Sequence, residues 1–344
     1  MPAKRIRVSS DDTTYYTLPG NQGEKTTEVA TVNDTIYGQT FESNDTSLGQ
    51  WSVTANGIFK NVAGYLVTIK KSGSPTVITD EATTLVSGKT YQITSAAKRA
   101  LDLGTALTVK DGSTNVTAQI ESIDYLNGLI TFKSSYTVAG AITVTGAYLP
   151  LSTLAKGRSF NLTQNAAEID DTVYEVAQAN NGNRTFDPGL RSVSLEVGGV
   201  YDATNANLTA IYARQVLIIE IAPKGDANTF FRGYFKYNRH NQSGDVGALE
   251  EEGLTFGLYV PDGDLVAKPF SWYINNSSTL NMAIQKVLAA WAAETPIYVQ
   301  YLENGTTGTQ GQAIVTEASL ANALDGLNEF SFTFRGSGVQ TAVT

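Results

Sequence analysis

Apolar and polar side chains alternate along residues 51–59: Trp51, Val53 and Ala55 fall on one side of an extended chain, with Ser52, Thr54 and Asn56 on the other. That period of two predicts a half-buried strand, and Asn56-Gly57 reads as a turn at its end. Residues 65–70 predict a second strand. From Thr76 onward, short β-prone runs follow at 90–94, 107–110, 116–123, 129–133 and 141–148. Asp111-Gly112 and Asn127-Gly128 separate several of these, so the segment predicts a meander of hairpins. Beyond Pro150, residues 159–163, 172–176 and 191–197 read as strands, the last after an Asp187-Pro188-Gly189 turn. The one long helical period covers 279–293, where Leu280, Ile284, Val287, Leu288 and Trp291 form a stripe. Ser277 or Ser278 is the expected N-cap, and Pro296 lies beyond the end. Alternation resumes at Ile297, Val299 and Tyr301 and stops at Asn304-Gly305. The pattern predicts a mainly β protein.

The pattern also repeats. Residues 207–260 run through a short apolar helix-like stretch and three strands, and residues 279–338 run through the amphipathic helix and three strands. Lys224-Gly225 aligns with Asn304-Gly305, and Gly233 with Gly311. Both closing strands are aromatic, with Phe256 and Tyr259 in one and Phe330, Phe332 and Phe334 in the other. A weaker match sets Asp34-Thr35-Ile36-Tyr37 and the strand from Trp51 against Asp171-Thr172-Val173-Tyr174 and the strand from Arg191. A nested duplication follows. Residues 1–71 are the front half of one module and 262–344 its back half, 157–261 are a complete second module, and 72–151 are an inserted β-rich element.

Composition narrows the chemistry. The chain has 344 residues with a formal charge of −9, which opposes nucleic-acid binding by bulk charge. With no cysteine and a single histidine, it lacks disulfides, thiolate metal sites and a cysteine nucleophile. The basic start, with Lys4, Arg5 and Arg7, has no apolar run behind it, so no signal peptide is expected and the terminus reads as frayed. No stretch approaches the roughly 20 apolar residues of a membrane span. His240 sits beside a loop with no catalytic spacing around it. Glu250-Glu251-Glu252 reads as a solvated edge, Asp262-Gly263-Asp264 as a turn, and Asp170-Asp171 as strand neighbours on opposite faces. Tyr15, Tyr16, Trp272 and Tyr273 offer faces for stacking on sugars, or for packing in a β core. The Asn161 and Asn207 sequons are expected by chance in a Thr-rich chain. No enzyme, cofactor or metal is expected.

The Asp171-Thr172-Val173-Tyr174 strand and its polar loop, residues 188–195 followed by Gly199-Val200-Tyr201-Asp202, and a helix before three closing strands resemble the major tail tube proteins of long-tailed bacteriophages. Phe334-Arg335-Gly336-Ser337-Gly338 is similar to that family's closing strand and Gly-rich exit. The resemblance covers residues 157–344 and, more loosely, the first third. It implies tail-tube-type β-sandwich or barrel modules, each flanked by a short helix, six of which make a ring; stacked rings form a tube that conducts DNA. Most members carry one module per chain, so two modules imply a ring of three chains in preference to six. The resemblance further implies a virion protein made in the bacterial host cytoplasm, with no membrane insertion. It would self-assemble, contact other tail proteins, and let DNA pass an acidic or neutral lumen unbound. The polar loops 38–50 and 175–188 resemble the family's ring-to-ring loop, which makes Glu42, Asn44, Asp45, Gln178, Asn180, Asn181, Asn183 and Arg184 the expected inter-ring contacts. The competing expectation is a tail-tip or fibre β-sandwich that binds a host-surface carbohydrate.

Overall fold

Antiparallel strands make up most of the computed structural model, which describes residues 4–34, 44–59, 68–153, 157–200, 213–223, 228–243, 251–261, 268–274, 278, 280–322 and 328–344. In chain order the strands are β1 (Arg5–Ser9), β2 (Tyr16–Thr17), β3 (Gly20–Asn33), β4 (Asn44–Ile58), β5 (Thr68–Ser72), β6 (Thr76–Ser87), β7 (Thr90–Ile93) and β8 (Thr108–Asp111). Then come β9 (Thr114–Asn115), β10 (Ile120–Asp124), β11 (Leu129–Phe132), β12 (Ile142–Tyr148), β13 (Leu151–Thr153), β14 (Gly157–Asp170), β15 (Phe186–Val200) and β16 (Leu217–Ala222). The last are β17 (Thr229–Ser243), β18 (Glu251–Leu258), β19 (Phe270–Ile274), β20 (Ile297–Leu302), β21 (Gly308–Asn322), β22 (Glu329–Gly336) and β23 (Thr341–Val343). No described helix is long and apolar enough to cross a membrane. The chain divides into two compact units, Met1–Ala63 with Phe160–Leu195 and Thr279–Thr344, and Gly64–Ser159 with Glu196–Ser278.

In the first unit the strands run β3-β4-β22-β21-β20-β1-β2, and β14 also pairs with β21. β22 shows why. Phe330, Phe332 and Phe334 are buried while Glu329, Ser331 and Thr333 face outward, the alternation a one-sided sheet requires. The helix Met282–Ala293 covers the apolar side with Ala283, Ile284, Val287, Leu288 and Trp291. It starts later than the sequence suggests because Asn281 is the N-cap, its carboxamide oxygen accepting from Ala283 N at 2.8 Å. Arg191 closes the other end, donating to the carbonyls of Trp291 and Ala292 at 3.1 and 3.0 Å, where a cation favours the helix dipole.

Several expectations change here. The N-terminal segment is not frayed: β1 pairs with β20 over five residues, and Arg7 donates to Gln300 Oε1 at 3.2 Å. Asn56-Gly57 is not a turn but lies inside β4, opposite Ser331 and Phe330. A Cβ on Gly57 would stand 2.6 Å from the Gly20 backbone, so close strand approach is what requires glycine there. Asp187-Pro188-Gly189 likewise lies within β15. The strand expected at 172–176 is instead the start of a helix, Tyr174–Ala179, begun by Ala177 N donating to Val173 O at 2.8 Å.

The second unit holds a seven-stranded sheet, β10-β11-β7-β6-β12-β8-β9, around Ile93, Leu101, Val109, Ile123, Ile130, Phe132 and Val144. Asp111-Gly112 and Asn127-Gly128 do turn the chain between β8 and β9 and between β10 and β11, with both glycines at positive φ. The hairpins are nevertheless joined out of sequence order, β7 to β11 and β12 to both β6 and β8, so the element is not a meander. The same unit contains β13-β5-β16-β17-β18, with β19 on β17. The inserted element is tied to these strands by buried polar bonds. Arg232 donates to Glu220 Oε2 at 2.7 Å and to Leu126 O at 2.6 Å, and Asn127 donates to Ser271 Oγ at 2.7 Å.

The strand order recurs. β3-β4-β22-β21-β20 and β14-β15-β18-β17-β16 are the same five-strand sequence of roles. A β-bulge interrupts β21·β22 between Val315 and Glu317 and β17·β18 between Tyr237 and Arg239, four residues past Gly311 and Gly233 respectively.

Candidate channel face and loop contacts

Because one side of the first unit's sheet is buried, the other side is fixed by register. Across β14, β21, β22, β4 and β3 the open side carries Asn161, Thr163, Glu317, Ser319, Ser331, Thr54, Asn56, Gln22 and Glu24. A cleft of about 510 Å³ lies on this face, bordered also by Glu329. Among the described residues, no lysine or arginine lines it. Glu317 is held by the Ser319 hydroxyl, which donates to it at 3.0 Å. Lys25 turns to the other side, where its Nζ donates to Thr309 Oγ1 at 2.9 Å. Arg335 sits at the end of the face, 3.3 Å from Glu168 and 4.3 Å above the Phe186 ring. Such a surface offers hydroxyls, amides and carboxylates.

The expected contact residues have separate fates. Glu42 lies outside the described residues. Asn44 and Asp45 begin β4, opposite Asn33 and Val32, so the expected loop 38–50 is strand from Asn44 onward. Residues 178–184 fold back onto the first unit. Gly49 N donates to Gly182 O at 2.7 Å, Arg184 N to Gly49 O at 2.9 Å, and Gly338 N to Arg184 O at 2.9 Å. Asn180 and Asn183 use their side-chain amides to cap the turn, donating to Val176 O and Asn180 O at 2.9 Å each. Arg184 pairs with Asp170 at 3.0 Å. Of the expected residues here, Gln178 and Asn181 are the exposed ones. Sequence reasoning did not assign Gly49, Gly182 or Gly338 to this contact. The structure shows why glycine stands there: φ is positive at Gly182 and Gly338, and a Cβ at Gly49 would meet Asn183 Oδ1 at 3.0 Å.

The other candidate groups take structural places. His240 lies in β17 opposite Leu254, not beside a loop. Burial pushes the Glu252 carboxyl up from its ordinary range. Asp262-Gly263-Asp264 and Asn207 lie outside the described residues. Among the described residues no group of three or more His, Cys, Asp or Glu could hold a metal ion. Tyr273 stacks on Phe230 at 4.8 Å, Trp272 packs edge-on to Phe231 at 5.2 Å, and Arg7 lies 5.6 Å over the Tyr15 ring. These aromatic faces are occupied by packing.

No family model matches the sequence, and no curated protein does. Among solved structures, a chain from the virion of a native gene transfer agent particle is 18% identical, with a TM-score of 0.28 over 36% of this chain and 88% of that one. A chain from the tail of an empty gene transfer agent particle, refined helically with C6 symmetry, is 18% identical, with a TM-score of 0.27 over 31% of this chain and 81% of that one.

Proposed function

We propose that this chain is a structural protomer of a phage-type tail tube, with no catalytic role. Two modules per chain, one formed by residues 1–71 with 262–344 and the other by 157–261, let three chains close a ring of six modules, while 72–151 is an addition to the ring. The observation that carries this reading is the recurrence of one five-strand order with its bulge in the same place, which supplies two equivalent building blocks in one chain. The open face of Glu24, Glu317 and Glu329, with no basic residue among the described ones lining its cleft, supports a lumen wall that DNA passes without binding. Electron microscopy with native mass spectrometry of the purified chain tests this. Rings or tubes whose unit is three 36.8 kDa chains, about 110 kDa, are expected. A ring of six chains overturns the trimer, and a persistent monomer that binds glycans overturns the tube in favour of a receptor-binding module.

A further inference from the structure

Register fixes which side chains the inserted sheet turns away from its core. In β10, β11 and β7, Ser122 stands opposite Thr131 and Thr131 opposite Thr90. Two residues along on the same side, Asp124 stands opposite Leu129 and Leu129 opposite Gln92. Ile123 and Ile130, between them, turn into the core. The outer side therefore carries a row of hydroxyls beside a carboxylate. A cleft of about 340 Å³ lies over it, bordered also by Lys268 and Ser271 of the same unit. Small-ligand pockets occupy about 300–1,000 Å³, whereas one water takes about 30 Å³.

Asn127 lines this cleft and is 3% exposed. Its Nδ2 donates to Asp124 Oδ2 at 2.9 Å and to Ser271 Oγ at 2.7 Å, so both amide hydrogens are used. Turning the carboxamide over would set its oxygen against the Asp124 carboxylate, which fixes the orientation. Oδ1 is left as a buried acceptor with no donor among the described residues. Buried polar atoms of folded proteins almost always have a partner, and one on the wall of a cleft calls for a donor inside it. Asp124 Oδ1 accepts from Leu126 N at 3.0 Å and from Asn127 N at 3.1 Å, so Oδ2, with Asn127 Nδ2 alone, keeps room for a second donor.

The other groups narrow what the donor belongs to. A cationic ligand would meet the Lys268 ammonium, and an anionic one the Asp124 carboxylate. The Thr90 and Thr131 hydroxyls lie 3.0 Å apart, one donating to the other, which leaves the second hydrogen free to turn outward. Hydroxyls that donate and accept match a ligand that does the same. We propose that this cleft binds a neutral sugar unit, one hydroxyl donating to Asn127 Oδ1 and its neighbours bonding to Asp124 Oδ2, Lys268 and Ser122. Recognition is by hydrogen bonds, since the nearby rings of Trp272 and Tyr273 are already packed on Phe231 and Phe230. The site lies within the second unit and is independent of the ring reading above.

Saturation-transfer NMR of the full chain with the methyl glycosides of glucose, galactose and N-acetylglucosamine tests this. Transfer to at least one glycoside is expected. Ser122→Phe, which fills the cleft from the sheet side, should abolish it. Lys268→Ala, at an exposed position, should weaken binding about tenfold, the loss of one hydrogen bond to a charged group. Calorimetry shows which variants fold, and Lys268→Ala serves alone if Ser122→Phe does not. Transfer to none of the three glycosides overturns the site, as does transfer of full strength in the folded variants. Methylammonium or acetate bound in place of the glycosides overturns it in favour of a charged ligand. Rings that take no sugar overturn this site and leave the tube reading standing, whereas a chain that takes sugar and forms no rings upholds the site and overturns the tube.

Discussion

A single methyl group at Gly336 is expected to destabilise the protein. A Cβ there would lie 2.0 Å from Trp51 Cε2 and 2.1 Å from Cδ2, whereas carbon atoms settle at about 3.5–4.0 Å. The indole has little room to retreat. Trp51 is 2% exposed, Gly311 is placed so that its own Cβ would stand 2.6 Å from Cζ2, and Trp51 Nε1 donates to Gly338 O at 3.0 Å. Overpacking costs about 1–3 kcal/mol, and losing the buried indole bond adds about 1–3 kcal/mol. Gly336→Ala should therefore cost about 2–6 kcal/mol, which for a unit of this size lowers Tm by roughly 4–24 °C. The effect reaches the candidate contact loop, because Gly338 N donates to Arg184 O at 2.9 Å. Calorimetry with tryptophan fluorescence reads both stability and the indole's environment. Gly88→Ala is the comparison: its φ is +51° and no atom lies within 4 Å, so it pays only backbone strain of about 1–2 kcal/mol. If Gly336→Ala proves no more damaging than Gly88→Ala, the close packing of Trp51 on this glycine is not what stabilises the site.

Glu220→Gln leaves the buried Arg232 guanidinium without its counter-charge and should cost about 3–5 kcal/mol by denaturant unfolding, whereas Glu220→Leu with Arg232→Met should come close to neutral or stabilise. Asp111 is held below the usual carboxylate range by the Ala139 N–H, the Tyr136 hydroxyl and the Gly140 N–H. Its depressed folded value means that its contribution is present above the unfolded pKa of about 4 and is lost as pH falls through the folded value, so Asp111→Asn should flatten the acid limb of a stability profile read by near-ultraviolet dichroism. Gln178→Arg, at an exposed position, should keep Tm and ring formation while shortening tubes in negative stain. Tubes of normal length from this variant would exclude this loop from ring stacking. Deleting 178–185 is a poorer test, since it removes the Gly49 and Gly338 backbone bonds that hold the first unit.

What the sequence makes legible is set by how local its cause is. The β22 alternation and the stripe on Met282–Ala293 can be read directly because each residue's burial depends on one face of its own element. Gly57 and Gly189 mislead because both occupy close approaches inside strands. Gly57 lies against Gly20, and a Cβ on Gly189 would meet Ile169 Cγ1 at 3.0 Å. In sequence such a glycine looks the same as one in a turn. The acidic face is hidden for a different reason: Glu24 and Glu317 share one side of a sheet only once β4, β22 and β21 are laid in register between them. A period of two says which face a residue takes and nothing about which edge a strand presents. β3 and β14 are both fourteen-residue, largely polar strands opening the two repeats, yet only β14 has β21 along its outer side.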